Sequence, residues 1–263
     1  MERSDRYPPG RSIKALLLFG AAVAFSTPGA GQPPAPGESD QAAREIVQRA
    51  DEIRFPTQGF QVNVRIRSFE GKEAAEARDY RVLSKGNDNT IVMTLAPAEE
   101  RGQILLMKGH DLWLFLPEVS QPVRLSLAQR LTGLVANGDI ARANFAGDYT
   151  PRMTGTEKIG DQPCYVLELT AVDRSVTYQR VKYWVRQSTY FPLKAEFYSL
   201  SDRLVKTASY ENPRQLAGRT RPARLVMVDA LRPDSRSEMD YDDMKLRELP
   251  DKVFTKEYLK KLE

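Results

Sequence analysis

The chain has 263 residues with one cysteine, and its 39 Lys and Arg against 35 Asp and Glu give a net charge of +4. Arg3, Arg6, Arg11 and Lys14 lie within the first 31 residues with two acidic side chains, so residues 32–263 keep 35 basic against 33 acidic groups, a net +2. A surface this balanced excludes an electrostatic case for nucleic acid as partner, and a lone cysteine excludes a disulfide framework, leaving an apolar core to hold a single domain together.

The first element is the apolar run Ala15 to Ser26, "ALLLFGAAVAFS", behind four basic residues and ahead of the small residues "TPGAG". That arrangement predicts a signal peptide over 1–31, too short to span a bilayer, since a spanning helix needs roughly 20 residues. No cysteine follows the run to carry a lipid. The next stretch, "QPPAPGE", is rich in Pro and Gly and predicts a flexible linker over 32–39. Ser39 or Asp40 then caps a helix whose apolar residues Ala43, Ile46, Val47, Ala50 and Ile53 recur every three or four positions.

From Phe60 the period changes to two: Val62, Val64 and Ile66 share one face, and Asn63, Arg65 and Arg67 the other. About a dozen short strands with turns between them predict a mainly β (α+β) fold built as a large antiparallel meander. One interruption stands out. In "LAQRLTGLVANGDIARANF", Leu127, Leu131, Leu134 and Val135 are spaced four, three and one, which predicts a short amphipathic helix ending at Asn137-Gly138. A last helical stretch, "TKEYLKKLE", closes the chain.

The inventory argues against an enzyme. His110 is the single histidine, read as a solvated turn residue, and Cys164 is read as a small buried apolar one. One His and one Cys leave no zinc set, and neither phosphate-binding glycine motif occurs. Glu238, Asp240, Asp242 and Asp243 fit the wet face of a late strand better than a calcium loop, with Met239, Tyr241 and Met244 turned partly inward. No cofactor is expected.

What remains is an excess of apolar residues in the first half of the sheet. In "DLWLFLP" Leu112, Leu114 and Leu116 point one way and Trp113 and Phe115 the other, so both faces need a cover. Met93, Ile104 and Leu106 match the alternation of Trp113 and Phe115. The pattern leaves two arrangements open: a filled core, or a curled sheet with an apolar gap suited to acyl chains.

The segment Tyr183 to Asp229 carries Trp184-Val185, Pro192-Leu193-Lys194 with Glu196, and Pro222 with Arg224-Leu225; "DLWLFLPEVSQPVRLS" adds Trp113, Pro117 and Arg124. In this order the motifs resemble the outer-membrane lipoprotein-sorting protein family, the LolA-like periplasmic lipid carriers, over residues 41–259. The resemblance implies a half-open antiparallel β-barrel wrapped around lid helices, forming a single lipid-binding domain over 40–263 with a hydrophobic cavity. It implies a cavity and lid lined by Met93, Ile104, Leu106, Trp113, Phe115, Leu127, Leu131, Leu134 and Val135. The family's cavity arginine has no counterpart by motif; Arg65 and Arg67 lie on a suitable early strand. The implied protein is a monomeric, non-catalytic periplasmic carrier of lipoprotein or lipid acyl chains, served by an inner-membrane exporter or an outer-membrane acceptor. A lipid-sensing module that grips a membrane-bound partner, and an envelope structural protein with a filled core, are the competing readings.

Overall fold

The computed structural model describes residues 36–142 and 144–259. Helix α1 (Pro36–Arg54) opens it, followed by β1 (Phe60–Glu70), β2 (Glu73–Lys85), β3 (Asn89–Ala96), β4 (Ile104–Lys108), β5 (Asp111–Phe115) and β6 (Val123–Leu125). An insert comes next: β7 (Arg130–Thr132), β8 (Val135–Ala136), α2 (Asn137–Ala141) and α3 (Phe145–Asp148). The second half comprises β9 (Tyr149–Ile159), β10 (Gln162–Ala171), β11 (Arg180–Arg186), β12 (Pro192–Tyr198), β13 (Leu204–Leu216), β14 (Arg219–Asp229) and β15 (Ser235–Leu246). A 3-10 turn at Asp251–Phe254 and α4 (Lys256–Leu259) end the described chain.

Thirteen strands form one sheet in the order β6-β5-β4-β3-β2-β1-β15-β14-β13-β12-β11-β10-β9, and β7 and β8 form a separate two-stranded sheet. Short connections force antiparallel pairing, and every neighbouring pair described is antiparallel. The first strand pairs with the last, Val64 opposite Tyr241 and Ile66 opposite Met239, so the two halves of the chain meet in the middle of the sheet. Their outer members, β6 and β9, are left as its two edges. The sheet is not closed, a half-open barrel of mainly β structure. Because β6 and β9 follow each other along the chain among the strands of the large sheet yet form its opposite edges, the insert between them has to bring the chain from one edge to the other.

The alternation seen in the sequence survives as burial. Val62, Val64 and Ile66 are buried on the face that also buries Ala43, Ile46, Val47 and Ala50 of α1, together with Tyr183, Tyr210, Met227, Met239 and Tyr241. Met244 is buried too, and Cys164 is fully buried. The last carbonyls of α1 lack intrahelical partners; Arg221 Nη1 donates to Glu52 O at 2.6 Å and Ile53 O at 3.1 Å.

Two expectations need correction, and one strand has a weak signal in the sequence. Helix α1 begins at Pro36, inside the stretch read as linker, because a proline is well tolerated in a first helical turn. Strand β9 was hidden by Pro151 and Gly155 and by its mostly exposed side chains, the marks of an edge strand. The stretch from Leu127 to Val135 is a turn and a hairpin, and Asn137-Gly138 opens a helix. The signal peptide over 1–31 lies outside the described residues.

Candidate functional site

The β7–β8 hairpin sits inside the curl of the large sheet, and polar contacts hold it there. Its tip is Gly133-Leu134. Gly133 has φ +51°, and a β-carbon there would overlap the hydroxyls of Ser68 and Ser237. Those two serines face each other across β1 and β15, 3.2 Å apart, and Ser237 Oγ accepts the Leu134 N–H at 3.0 Å. On the other side Lys206 Nζ donates to Leu134 O and to Asp139 Oδ2 at 2.9 Å. Asp139 also accepts from Tyr178 Oη at 2.7 Å and from the Ala136 N–H at 2.8 Å. At the base Thr132 Oγ1 accepts from Arg78 and donates to Glu76, both at 2.8 Å.

Space remains on both flanks of the hairpin. One cavity, about 330 Å³, is lined by Tyr80, Leu105, Leu114, Leu125 and Leu131 with a polar rim that includes Arg78 and Glu100. The other, about 180 Å³, is lined by Leu134, Ala136, Tyr178, Val205 and Lys206. Leu127 and Val135 are buried, and Leu131 and Leu134 half-buried, against the interior core.

The nine residues read as cavity and lid are therefore parted. Leu127, Leu131, Leu134 and Val135 face the interior from a turn and a hairpin. Ile104, Leu106 and Phe115, with half-buried Met93 and Trp113, pack on the opposite face under Leu249, Val253, Phe254 and Leu259. Lys256 Nζ lies 4.5 Å from the centre of the Trp113 ring. The residues of this first half that turn toward the hairpin are instead Leu105, Met107, Leu112, Leu114 and Leu125. Both faces of β5 are apolar because the hairpin lies on one side and the C-terminal segment on the other.

Arg65 and Arg67 face outward. Arg65 pairs with Asp79 at 2.6 and 2.9 Å, and Arg67 with Glu238 at 2.8 Å and Asp240 at 2.9 Å. The arginine among the interior aromatic rings is Arg54 of α1, its guanidinium carbon 4.2 Å from the centre of the Phe145 ring. His110 is not simply solvated: its Nε2 lies 2.8 Å from Asp148 Oδ1, and Asp148 also accepts from buried Arg142 at 2.5 to 2.8 Å. That pairing anchors α3 beside the β4–β5 turn, whose Gly109 O also accepts from Arg142 at 3.0 Å.

Ser68, Ser237, Lys206, Asp139 and Arg54 were not singled out from sequence. A signal existed for three of them. Ser68 follows Val62, Val64 and Ile66 at the inward parity, Ser237 precedes Met239 and Tyr241, and Lys206 precedes Ala208 and Tyr210. A polar residue at a core parity demands a partner.

Asp51 joins α1 to α3, accepting the Ala146 N–H at 2.8 Å and Arg54 Nη1 at 3.2 Å. Burial drives its carboxyl up to about 7, against the opposing pull of Arg54. The native state thus binds more protons than the unfolded chain between pH about 4 and 7, so stability from this group is full at low pH and lost as pH rises through 7. The slope in that window reaches up to about 1.4 kcal/mol per pH unit. Asp51→Asn should flatten it in urea unfolding measured at pH 5, 6 and 7, and an unchanged slope would assign the pH dependence elsewhere.

A family model described as that of an uncharacterized protein matches residues 86–261. No curated protein sequence matches. A crystal structure of a LolA superfamily protein from Nitrosomonas europaea is 61% identical, with a TM-score of 0.78, over 82% of this chain and 98% of that one. A DUF1329 family protein from Desulfovibrio piger is 22% identical with a TM-score of 0.73, over 84% of this chain and 99% of that one. A domain from Vibrio parahaemolyticus, provisionally named for outer membrane lipoprotein sorting, is 22% identical with a TM-score of 0.72, over the same shares of the two chains. At that identity the last two establish a shared fold, whereas the first, at 61% identity over nearly its whole length, shows that the chain belongs to the LolA superfamily.

Proposed function

We propose that the protein is a periplasmic carrier that holds the acyl chains of a lipid or lipoprotein and passes them between membranes without catalysis. The observation that supports this reading is the hairpin: it occupies the apolar interior of an open sheet, and cavities of about 330 and 180 Å³ flank it. Inserting a chain would exchange one apolar occupant for another. Each buried methylene contributes about 0.8 kcal/mol, and the lost burial of Leu127 and Val135 offsets about 1.5 to 3 kcal/mol apiece, so binding is favourable yet reversible. A membrane exporter would load the carrier and an acceptor of higher affinity would empty it. The name given to the Vibrio parahaemolyticus domain and the export signal read over 1–31 fit the same role.

Native mass spectrometry of protein purified from periplasm tests it. Co-purified lipid, displaced by added fatty acid, is the expected result; an empty protein that also ignores fatty acid would overturn the reading. Leu131 gives a sharper expectation, because it lines the 330 Å³ cavity from a hairpin that is outside the thirteen-stranded sheet. Leu131→Asp weakens the seating of the hairpin that the chain displaces, so fluorescent fatty acid should bind several-fold more tightly while circular dichroism stays unchanged. Weaker binding with the fold intact would mean that the chain lies beside a seated hairpin and touches Leu131.

A further inference from the structure

The cavities of about 330 and 180 Å³ on the two flanks of the hairpin share one lining residue, Arg130. It stands at the root of the hairpin, and backbone bonds tie that root to α2: Gln129 O accepts the Asn137 N–H and Leu127 O the Gly138 N–H, each at 2.9 Å. The tip is held by the side chains of Ser237 and Lys206 instead. A chain that displaces the tip therefore leaves Arg130 in place.

Arg130 is exposed and makes no ion pair among the described residues. The other charged groups beside the two cavities are engaged. Arg78 binds both oxygens of Glu100, at 2.8 and 2.6 Å, and Lys206 is bound to Asp139 and Leu134 O. Asp229, which lines the smaller cavity, accepts the Leu231 and Arg232 N–H groups at 2.8 and 3.0 Å. Gln103 and Gln129 line the larger cavity with Arg130, and their amide N–H groups have no acceptor among the described residues. The larger cavity thus has an apolar wall of Leu105, Leu114, Leu125 and Leu131 and a rim with a free guanidinium and two free amides.

We propose that Arg130, with Gln103 and Gln129, binds the phosphate of a two-chain phospholipid whose chains enter along the two flanks of the hairpin. The proposal rests on the acyl-chain reading and narrows it to lipids with a phosphate head. A guanidinium donates two parallel N–H bonds to phosphate oxygens, and primary amides add neutral donors. A position common to both cavities suits a head group from which two chains diverge.

The test titrates the purified protein with dioctanoyl phosphatidylglycerol and with dioctanoylglycerol, which has the same chains and no phosphate. Wild type is expected to bind the phospholipid at least tenfold more tightly, and a large excess of inorganic phosphate should leave it bound. Arg130→Gln should bring the two lipids within threefold of each other, and Arg130→Lys, which keeps the charge, should retain most of the preference. Because the Arg130 side chain is exposed and unpaired, the melting temperature of both variants should match wild type. Hexadecanoyl lysophosphatidylglycerol, with the same acyl carbons on one chain, should bind at least threefold more weakly than the two-chain lipid. Equal affinities for the two dioctanoyl lipids, a preference untouched in Arg130→Gln, or displacement by inorganic phosphate would overturn the head-group site, and a lysolipid that binds as tightly would overturn the two-chain arrangement. Those outcomes leave the acyl-chain reading standing; failure of every lipid to bind sinks that reading as well.

Discussion

Replacing Lys206 by Met should destabilise the protein by about 3 kcal/mol, the low end of the range for breaking a buried ion pair. Lys206 and Asp139 have side chains 5% and 7% exposed, 2.9 Å apart. Without the ammonium, Asp139 keeps the Tyr178 hydroxyl and the Ala136 N–H, which softens the loss without replacing the charge. Leu134 O also loses its donor, so the hairpin is loosened at its tip while Thr132 keeps its base contacts with Arg78 and Glu76. For a domain of this size the melting temperature should drop by about 6–12 °C. Adding Asp139→Asn to Lys206→Met removes the orphaned charge and should recover at least half of the loss. A single variant within about 1 kcal/mol of wild type would mean that Lys206 does not hold the insert in place.

Gly133→Val should unseat the hairpin and leave the sheet intact. The left-handed φ of +51° costs a β-branched residue about 1–2 kcal/mol, and its side chain would meet Ser68 and Ser237 head-on. The tip must lift, breaking the bond from Leu134 N–H to Ser237. The total should be about 2–4 kcal/mol, with far-ultraviolet circular dichroism unchanged because the thirteen-stranded sheet shares no pairing with β7 and β8. If the hairpin is what keeps the interior filled, fluorescent fatty acid should associate at least tenfold faster with this variant. A stable variant with wild-type kinetics would show that the tip is not the barrier.

The sheet was legible in the sequence because a period of two, broken by turn residues, has few other physical solutions. The meander order within each half followed from connections too short for crossovers, whereas the pairing of β1 with β15 is a long-range contact that no period reveals. The hairpin was misread because spacings of four, three and one among Leu127, Leu131, Leu134 and Val135 satisfy a helix and a tight turn equally well; only the long-range contacts of Gly133 with Ser68 and Ser237 decide between them. The same limit hid the destination of the C-terminal segment. Its apolar residues Leu249, Val253, Phe254 and Leu259 are plain in the sequence, but that they cover Ile104, Leu106 and Phe115 is a fact of tertiary packing. Arg54 lies within a stretch read correctly as amphipathic helix, and its burial depends on the sheet closing around it. Ser68, Ser237 and Lys206 were visible as polar residues at inward parity, a pattern that points to the hairpin contact once a partner is sought.

The central claim is that an acyl chain takes the place of the β7–β8 hairpin. Hydrogen exchange at the amide of Leu134, read by mass spectrometry or NMR with and without saturating palmitate, tests it most directly, since that N–H is bound to Ser237 Oγ in the closed arrangement. The account predicts that palmitate speeds exchange at Leu134 and neighbouring hairpin amides while β1 and β15 stay protected. Palmitate that binds and leaves these amides as protected as before, or protects them further, would place the chain elsewhere and contradict the account.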